Sequence, residues 1–361
     1  MAKYPYEIVT VGETTIDAFM TIDDPSGYRL DAEHHDVCIR PGAKINVDHY
    51  DFFMGGNATN VAVGLSRLGY KVGLCSEIGD DELSIKIRNS LVKENLERLL
   101  VKQTPGASSF SVIINAGGDR TVFVQDVERE HDFHLDDVTT PFVFLTSLGN
   151  QWKEPYLKIL KFVEENNATL AFNPGGHQLR EGKEIIRGVL EKTTILFVNK
   201  EEAEMILLDK QTEQRDRAHI ENLLKQLQAL GTKKIIITDG KNGSYGIDED
   251  GEAHWLAIDG GKAVERTGAG DSYASGFIGA TLAGLSFEKA MEWGAHNSTA
   301  VVSKVGAQAG LLTREEIENF TLENGEVVEA SSEPKDFAKV SETPNPTQDE
   351  SPAKFMPAPL D

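Results

Sequence analysis

Glu265-Arg266-Thr267-Gly268-Ala269-Gly270-Asp271-Ser272 places three small residues directly before a carboxylate, where a helical pattern begins. The small and apolar residues that follow predict a packed helix over about 271–284. The backbone N–H groups of Gly268, Ala269 and Gly270 can converge on an anion, and the positive end of the helix dipole strengthens that attraction. Asp271 would then stand beside the bound anion as a general base.

The same stretch has a simpler interpretation. Gly-Ala-Gly could form a tight turn, and Asp271 could cap the helix by accepting a backbone N–H. These residues alone do not decide between a ligand site and a structural turn, so the choice depends on the rest of the chain.

Composition bounds the class of protein. The chain has 361 residues, of which 40% are hydrophobic and 26% charged, and these values allow a large core in one domain or two. The net charge of −22 argues against nucleic acid or an anionic membrane as a main partner, since both need clustered Lys and Arg. A bound phosphate would have to be neutralised largely by backbone amides and a divalent cation.

Cysteine content and hydropathy indicate the compartment. Cys38 and Cys75 are too few for a disulfide framework or a thiolate metal cluster. The first residues lack a basic start with a long apolar run, and no stretch approaches the roughly 18 apolar residues of a membrane span. We therefore expect a cytoplasmic protein.

Short apolar runs separated by helical patterns predict an α/β fold. The runs lie at residues 7–12, 72–78, 143–148, 168–172, 195–198 and 234–238. This alternation is typical of βαβ units and predicts a Rossmann-like, mainly parallel sheet flanked by helices. Segments at about 19–54 and 108–126 alternate like strands and contain turn residues, so we predict that they form a small β-sheet lid.

Candidate substrate contacts follow the first strand and precede the first helix. Asp17 lies just beyond the first run, where ligands gather in open α/β sheets, although a solvated turn aspartate is the alternative. Gly55 and Gly56 open a helical pattern that has Asn60 one turn in. A ligand could approach this backbone closely, or the two glycines could form a merely structural turn.

Two further groups follow later strands. Asn199 and Glu202 open a helix and can share one face, although a carboxylate there commonly just complements the helix dipole. Thr238, Gly240 and Gly243 follow the next strand along the chain, and these glycines either expose backbone to a ligand or turn a hairpin.

The character of the sequence changes after residue 322. Residues 323–361 are rich in Pro, Glu, Ser and Thr and lack apolar periodicity. Such a composition predicts a disordered acidic tail. Residues 1–322 are predicted to form the folded part of the chain.

Gly55-Gly56 with Asn60, Asn199 with Glu202, and residues 267–271, in this order, resemble the ribokinase-like (PfkB) carbohydrate kinase family over about residues 7–320. The resemblance implies a kinase domain over residues 1–322 with a β lid. It also implies the use of ATP and Mg²⁺ and transfer of the γ-phosphoryl group to a hydroxymethyl oxygen of a sugar. A nucleoside or a sugar phosphate as acceptor, and a homodimer through the lid, also fit the resemblance.

The resemblance implies roles for the reacting end of the site. Asp271 matches the catalytic base, and Gly268, Ala269 and Gly270 match the anion hole. The matches to substrate contacts are Asp17, Gly55, Gly56 and Asn60.

The resemblance also implies roles at the nucleotide end. Asn199 and Glu202 match the pair that organises Mg²⁺ and the phosphates, partly through water. The matches to nucleotide contacts are Thr238, Gly240, Gly243 and, near the adenine, Asn297.

The chain departs from the family pattern at Glu265-Arg266 and at Asn57, and it has a further candidate residue at Arg120. Glu265-Arg266 stands where the family usually has Asp-Thr, which makes a monovalent-cation site doubtful and leaves Arg266 as a candidate fixed positive charge. Asn57 stands where ribokinases tend to have Lys, so we do not expect a ribokinase. Arg120, in the predicted lid hairpin, could bind an acceptor phosphate bidentately or could be a solvated turn residue.

Other classes fit less well. A P-loop NTPase needs Gly-Lys followed by Ser or Thr, which the chain lacks. A nicotinamide oxidoreductase would need Gly-x-Gly-x-x-Gly after the first strand, and that pattern is also absent. A non-catalytic, sugar-binding relative is the remaining alternative of a different class, although a pure binder has no need of a base at Asp271.

Overall fold

A nine-stranded sheet forms the centre of the computed structural model. The structure describes residues 4–22, 28–31, 36–97, 100–116, 119–125, 127–208, 210–257 and 263–320. The predicted tail, residues 323–361, lies outside the described residues.

The strands, in chain order, are β1 (Tyr4–Pro5), β2 (Ile8–Val11), β3 (Thr15–Ile22), β4 (Arg29–Asp31), β5 (Asp36–Cys38), β6 (His49–Gly55), β7 (Val72–Ile78), β8 (Val101–Gln103), β9 (Ser109–Ala116), β10 (Asp119–Gln125), β11 (Val138–Thr139), β12 (Phe142–Leu145), β13 (Thr169–Phe172), β14 (Ile195–Asn199), β15 (Lys234–Thr238), β16 (Ser244–Ile247) and β17 (Ala253–Leu256). The helices are α1 (Asn57–Arg67), α2 (Glu82–Lys93), α3 (Lys153–Asn166), α4 (Gly176–Glu181), α5 (Lys183–Lys192), α6 (Lys200–Leu208), α7 (Arg217–Ala229), α8 (Ala269–Leu282), α9 (Phe287–Val302) and α10 (Arg314–Glu318).

The central sheet has the order β17-β16-β15-β14-β13-β12-β2-β7-β8. Its pairs are parallel from β15 through β8, whereas β16 and β17 run antiparallel at one edge. The predicted mainly parallel sheet is therefore confirmed. The run predicted at 143–148 forms a strand only as far as Leu145.

Alternating side chains of the strands fill two cores, one on each face of the sheet. On β2, Ile8 belongs to the core beneath α1, α8 and α9, whereas Val9 belongs to the core beneath α3, α5, α6 and α7. Phe144 and Leu145 of β12 divide in the same way. This double burial explains why the strands read as continuous apolar runs. Among the described residues, no helix combines the length and apolarity needed to cross a membrane.

A second sheet of four strands, in the order β10-β9-β3-β6, forms the lid. β3, one of its two inner strands, follows β2 almost directly, so the lid is connected to the carboxyl end of the main sheet. β3 pairs antiparallel with β6 and parallel with β9, and β9 and β10 form a hairpin. The predicted lid segments contain β9, β10 and nearly all of β6, whereas β3 begins at Thr15, four residues before the first segment. β4 and β5 add a short hairpin within the first of them.

Candidate active site

The start of α8 is open to a ligand. The helix begins at Ala269 with Gly268 as its N-cap, so Asp271 is the third helical residue and the prediction that the helix begins at Asp271 is wrong by two residues. Gly268 has φ of 78°, and a Cβ there would collide with Ala307. Only glycine adopts this φ without strain and also fits beside Ala307.

The N–H groups of this first turn are partly free. The N–H of Ala269 donates to the carbonyl of Arg266 at 3.3 Å, whereas those of Gly270 and Asp271 have no acceptor among the residues that the structure describes. Gly270 is exposed, and a Cβ there would meet no atom within 4 Å. An anion can therefore approach this end of the helix, where the dipole favours negative charge.

Asp271 lies beneath that opening with 8% of its surface exposed. Its Oδ2 accepts a hydrogen bond from Nδ2 of Asn60, on α1, at 2.8 Å. Burial raises the pKa of Asp271 to about 7, the nearby charge of Asp17 adds to this, and the Asn60 hydrogen bond opposes it. A carboxylate with a pKa near neutrality is suited to accept a proton from an alcohol in the course of its transfer.

Asp17 faces the same space from the lid. It lies within β3 with 8% of its surface exposed, so it is not a solvated turn residue, and Thr15 Oγ1 donates to its Oδ1 at 3.0 Å. Burial raises its pKa, and Glu265 contributes to that rise. Gly55 lies on β6 opposite Thr15 of β3 and has no side chain. The Asp17 carboxylate occupies the space where a Cβ of residue 55 would lie.

Gly56 permits a backbone conformation and a close backbone contact that a residue with a Cβ would not. It is the N-cap of α1 with φ of 94°, and a Cβ would collide with the carbonyl of Glu13. The two glycines are thus required by close packing within the protein, and that packing brings Asp17 and Asn60 to one site.

Glu202 and Asn199 form a reciprocal cap at the start of α6. The N–H of Asn199 donates to Glu202 Oε2 at 2.9 Å, and the N–H of Glu202 donates to Asn199 Oδ1 at 2.7 Å. Burial raises the pKa of Glu202 to about 7, and the charge of Asp271 adds to the rise. Glu202 therefore caps its helix and also lies within electrostatic reach of Asp271.

The predicted nucleotide loop turns a hairpin. Thr238 ends β15, residues Gly240–Asn242 form a 3₁₀ turn, and β16 returns antiparallel. Gly243 has φ of 94° and no room for a Cβ beside the carbonyl of Leu256. Gly240, by contrast, is exposed, and a Cβ there would meet nothing within 4 Å, so it leaves backbone accessible to a ligand.

Asn297 lies away from any opening. It is fully buried, and its Nδ2 donates to the carbonyl of Ser272 at 3.0 Å and to Ser275 Oγ at 2.9 Å. Its Oδ1 accepts the N–H of Leu312 at 2.9 Å. We therefore assign Asn297 to the support of α8 and remove it from the predicted adenine contacts.

Arg120 joins the lid to the turn before α8. Its guanidinium pairs with Glu265 Oε1 and donates to Thr267 Oγ1 at 2.8 Å. Glu265 is 6% exposed, whereas Arg266 is exposed to solvent. The positive charge beside Glu265 thus comes from Arg120, which corrects the expectations that Arg266 supplies it and that Arg120 could be a solvated turn residue.

Two residues of the site escaped sequence reasoning. Arg215 pairs with the buried Asp239 at the nucleotide hairpin and with Glu201 on α6. Gln308 donates through Nε2 to Asn60 Oδ1 at 2.8 Å. Arg215 lies in an irregular segment and Gln308 in a loop without periodicity, so the local sequence pattern gave no signal for either.

The site gathers negative charge, from the buried Asp17 and Glu265 on the lid side to the buried Asp271 and the half-buried Glu202. Arg120 neutralises only the Glu265 end. Carboxylates that raise one another's pKa are relieved by a cation between them, and oxygen ligands are those that Mg²⁺ prefers. The residues present therefore fit a divalent cation bound together with a polyphosphate.

Residues 7–314 match the sequence profile of the pfkB family carbohydrate kinases. The chain belongs to this family. Among curated relatives, the nucleoside kinase of Methanocaldococcus jannaschii is 28% identical over 290 residues, covering 77% of this chain and 88% of that kinase. The 5-dehydro-2-deoxygluconokinase of Clostridium perfringens is 24% identical over 295 residues, covering 75% of this chain and 85% of that enzyme.

Among solved structures, Arabidopsis thaliana ribokinase complexed with ribose and ATP superimposes with a TM-score of 0.70 at 19% identity. The match covers 89% of this pfkB family chain and 100% of the ribokinase. The predicted family and the ribokinase-like α/β fold with a lid-like sheet are confirmed. Membership makes the protein a carbohydrate kinase and sets aside the alternative of a non-catalytic sugar-binding relative.

Proposed function

We propose that this pfkB family kinase transfers the γ-phosphoryl group of ATP to a hydroxymethyl oxygen of an uncharged sugar, with Asp271 as the general base. The observation that supports the proposal best is the placement of Asp271, a buried carboxylate with a pKa raised to about 7, at the open start of α8. A base at the positive end of a helix dipole can act on a hydroxyl while the same turn binds the group being transferred.

The proposed reaction begins with the acceptor held under the lid by Asp17 and Asn60. The acceptor oxygen attacks the γ-phosphorus, the new O–P bond forms, and the bond from that phosphorus to the bridging oxygen of ADP breaks. The hydroxyl proton passes to Asp271. The N–H groups of Gly270 and Asp271 stabilise the negative charge of the γ-phosphoryl oxygens in a transition state that chiefly requires positioning and charge stabilisation.

Glu202 is the residue that we propose to hold Mg²⁺, through water, from the start of α6. Mg²⁺ usually keeps several waters and binds proteins through one or two carboxylates together with substrate phosphates. When bound, the ion would neutralise phosphate charge. Glu202 contributes a carboxylate that its own helix cap holds in place, and Asn199 orients it.

The nucleotide would lie along the hairpin after β15, with Gly240 as the accessible backbone and Thr238 at the strand end. Arg215 supports this hairpin through Asp239. A monovalent cation is not part of the proposal, because the guanidinium of Arg120 already balances the charge of Glu265.

The same ion pair bears on the acceptor. Arg120, the arginine predicted to bind an acceptor phosphate, instead pairs with Glu265 and donates to Thr267. An acceptor without a phosphate group fits better. A nucleoside is the second candidate, since the 28% identical relative is a nucleoside kinase.

The lid also supports a proposed homodimer. Large apolar side chains are exposed along its two outer strands, with Tyr50 on β6 65% exposed and Phe123 and Val124 on β10 56% and 69% exposed. Exposed apolar surface of this kind commonly marks a protein interface. Light scattering would test the homodimer, with Phe123→Glu expected to shift the mass from dimer to monomer.

A cytoplasmic location stays a prediction of the sequence.

The deciding experiment is a panel of acceptors with ATP and Mg²⁺, followed by ADP release and by mass spectrometry of the product. It should include free pentoses and hexoses, nucleosides and sugar phosphates. We expect acceptor-dependent ADP release with a free sugar. A preference for a nucleoside would support the second candidate, and a preference for a sugar phosphate would contradict the argument drawn from the pair between Arg120 and Glu265.

A further inference from the structure

Three side chains form a hydrogen-bonded line that ends at the base. Gln308 Nε2 donates to Asn60 Oδ1 at 2.8 Å, and Asn60 Nδ2 donates to Asp271 Oδ2 at 2.8 Å. The two ends of an amide group have nearly the same shape, so only its partners decide which end faces which neighbour. A donor from Gln308 requires the oxygen of Asn60 on its side, which leaves the NH₂ group for Asp271.

The backbone at Gln308 is itself held in place. Arg67 Nη1 donates to the carbonyl of Gln308 at 2.7 Å and to that of Leu311 at 3.2 Å. The guanidinium of Arg67 is fixed in turn by Glu94, with donor–acceptor distances of 2.9 Å and 2.7 Å. Ala307, the residue before Gln308, packs against Gly268 at the start of α8. One loop therefore supports both the helix start and the amide beside the base.

We propose that Gln308 is a positioning residue for phosphoryl transfer, which holds the amide of Asn60 with its nitrogen toward Asp271. Asn60 then stabilises the carboxylate form of the base, the form that can accept a proton. With the amide reversed, the oxygen of Asn60 would face Asp271 and favour the protonated form. Gln308 thus keeps the base competent without contacting the substrate.

The remaining groups around Asp271 make this orientation matter. The charges that face it are carboxylates, Asp17 from β3 and Glu202 from α6, with Glu265 beyond Asp17. Each of these favours protonation of the base, as burial does. The Asn60 donor opposes them, together with the positive end of the α8 dipole.

The test compares Gln308→Met, which removes the donor, with Gln308→Glu, which replaces it by an acceptor of the same shape. Gln228→Met is the matched control, because Gln228 donates to the backbone carbonyls of Lys233, before β15, and Asp248, after β16, at the end of these strands opposite Thr238. The ¹³C carboxyl resonance of Asp271 is titrated in each variant without substrate and is assigned by its loss in Asp271→Asn. The pH profile of kcat/KM is measured in parallel.

We expect the carboxyl titration and the acid limb of kcat/KM to move to higher pH by about half a unit or more in Gln308→Met, and further in Gln308→Glu. At pH 7 kcat should fall about twofold for a shift of half a unit and further for a larger shift, with the KM for ATP little changed and activity in Gln308→Met largely recovered at alkaline pH. Gln228→Met should match wild type.

An unmoved Asp271 titration in both Gln308 variants would overturn the inference, as would an equal loss of activity at every pH. The kinetic part rests on the proposed function, but the titration does not. If wild type phosphorylates no acceptor while the Asp271 resonance still shifts, the proposed function fails, whereas the orientation of the Asn60 amide toward Asp271 by Gln308 stands.

Discussion

α6 and α8 both place a carboxylate at their third residue, yet the two helix starts are built in opposite ways. At α6, Asn199 supplies a capping side chain, and Glu202 returns a hydrogen bond to the Asn199 backbone. At α8 the N-cap is Gly268, which has no side chain to offer, and Asp271 turns instead to Asn60. Where side chains of the helix accept the N–H groups of the first turn, those donors are not available to a ligand. Where glycine is the N-cap, N–H groups of the first turn stay available.

Both carboxylates nevertheless have a pKa raised to about 7 by burial. A raised pKa alone therefore does not separate the base from the capping residue. The difference lies in the partners, because Glu202 is held by backbone and Asp271 by a side chain from another helix. The proposed roles follow from this difference and can be tested on it.

The largest effect is expected from Asp271→Asn. The amide keeps the shape of the carboxylate but cannot accept a proton, so kcat should fall by about 10² or more while ATP binding is retained. Steady-state kinetics and nucleotide titration would measure the two quantities. Asp216→Asn, which changes an exposed carboxylate at the start of α7, is the control, and an Asp271→Asn rate within twofold of wild type would remove Asp271 from the role of base.

Gly270→Ala should affect the rate less but would test the open helix start directly. The added methyl group meets no protein atom, yet it lies where an anion would approach, so kcat should fall about tenfold. Stability should rise by about 0.5 to 1 kcal/mol, since alanine is the better helix former.

The control is Gly188→Ala in α5, where a Cβ also has free space. It should give the same gain in melting temperature without any loss of rate. If Gly270→Ala kept full activity, the first turn of α8 would not be in contact with the transferred group.

Glu202→Gln should change the magnesium dependence by a few fold. Glutamine can still accept the backbone hydrogen bond from Asn199, so the cap survives, but the negative charge that attracts the cation is lost. The Mg²⁺ concentration for half-maximal rate should therefore rise. The matched control is Glu316→Gln, in the capping box of α10 with Thr313, and an unchanged titration for Glu202→Gln would leave Glu202 as a cap alone.

The smallest effect is expected from the choice of monovalent cation. Because Arg120 pairs with Glu265, activity should be nearly equal in potassium, sodium or a large organic cation at matched ionic strength. Glu265 Oε2 is buried with no hydrogen-bond partner among the described residues. A severalfold stimulation by potassium alone would show that this oxygen holds the ion.

The sequence predicted the parts of the fold that depend on local pattern. Apolar runs with double-sided burial identified the strands of the main sheet, and β7 and β15 have the predicted bounds. Glycines before helical patterns located the turns that lead into α1 and α8. These features depend on near neighbours in the chain, which periodicity and turn chemistry can detect.

Pairings between distant segments could not be predicted in this way. Arg120 meets Glu265 across 145 positions, and Gln308 meets Asn60 across 248. Asn297 seemed a ligand contact only by resemblance, whereas burial directs its amide into the protein. Which polar partner a side chain finds is decided by the packing of whole elements, and a single sequence does not encode it in any short motif.

The pair between Arg120 and Glu265 has a kinetic consequence. The guanidinium belongs to a strand of the lid, and its partner Glu265 precedes α8, whose first turn we propose to bind the group being transferred. Any opening of the lid at this point would separate two opposite charges, one of them nearly buried. Added salt screens the separating charges, so the acceptor should enter and the product should leave faster at higher ionic strength. Where product release limits turnover, kcat should therefore rise with ionic strength.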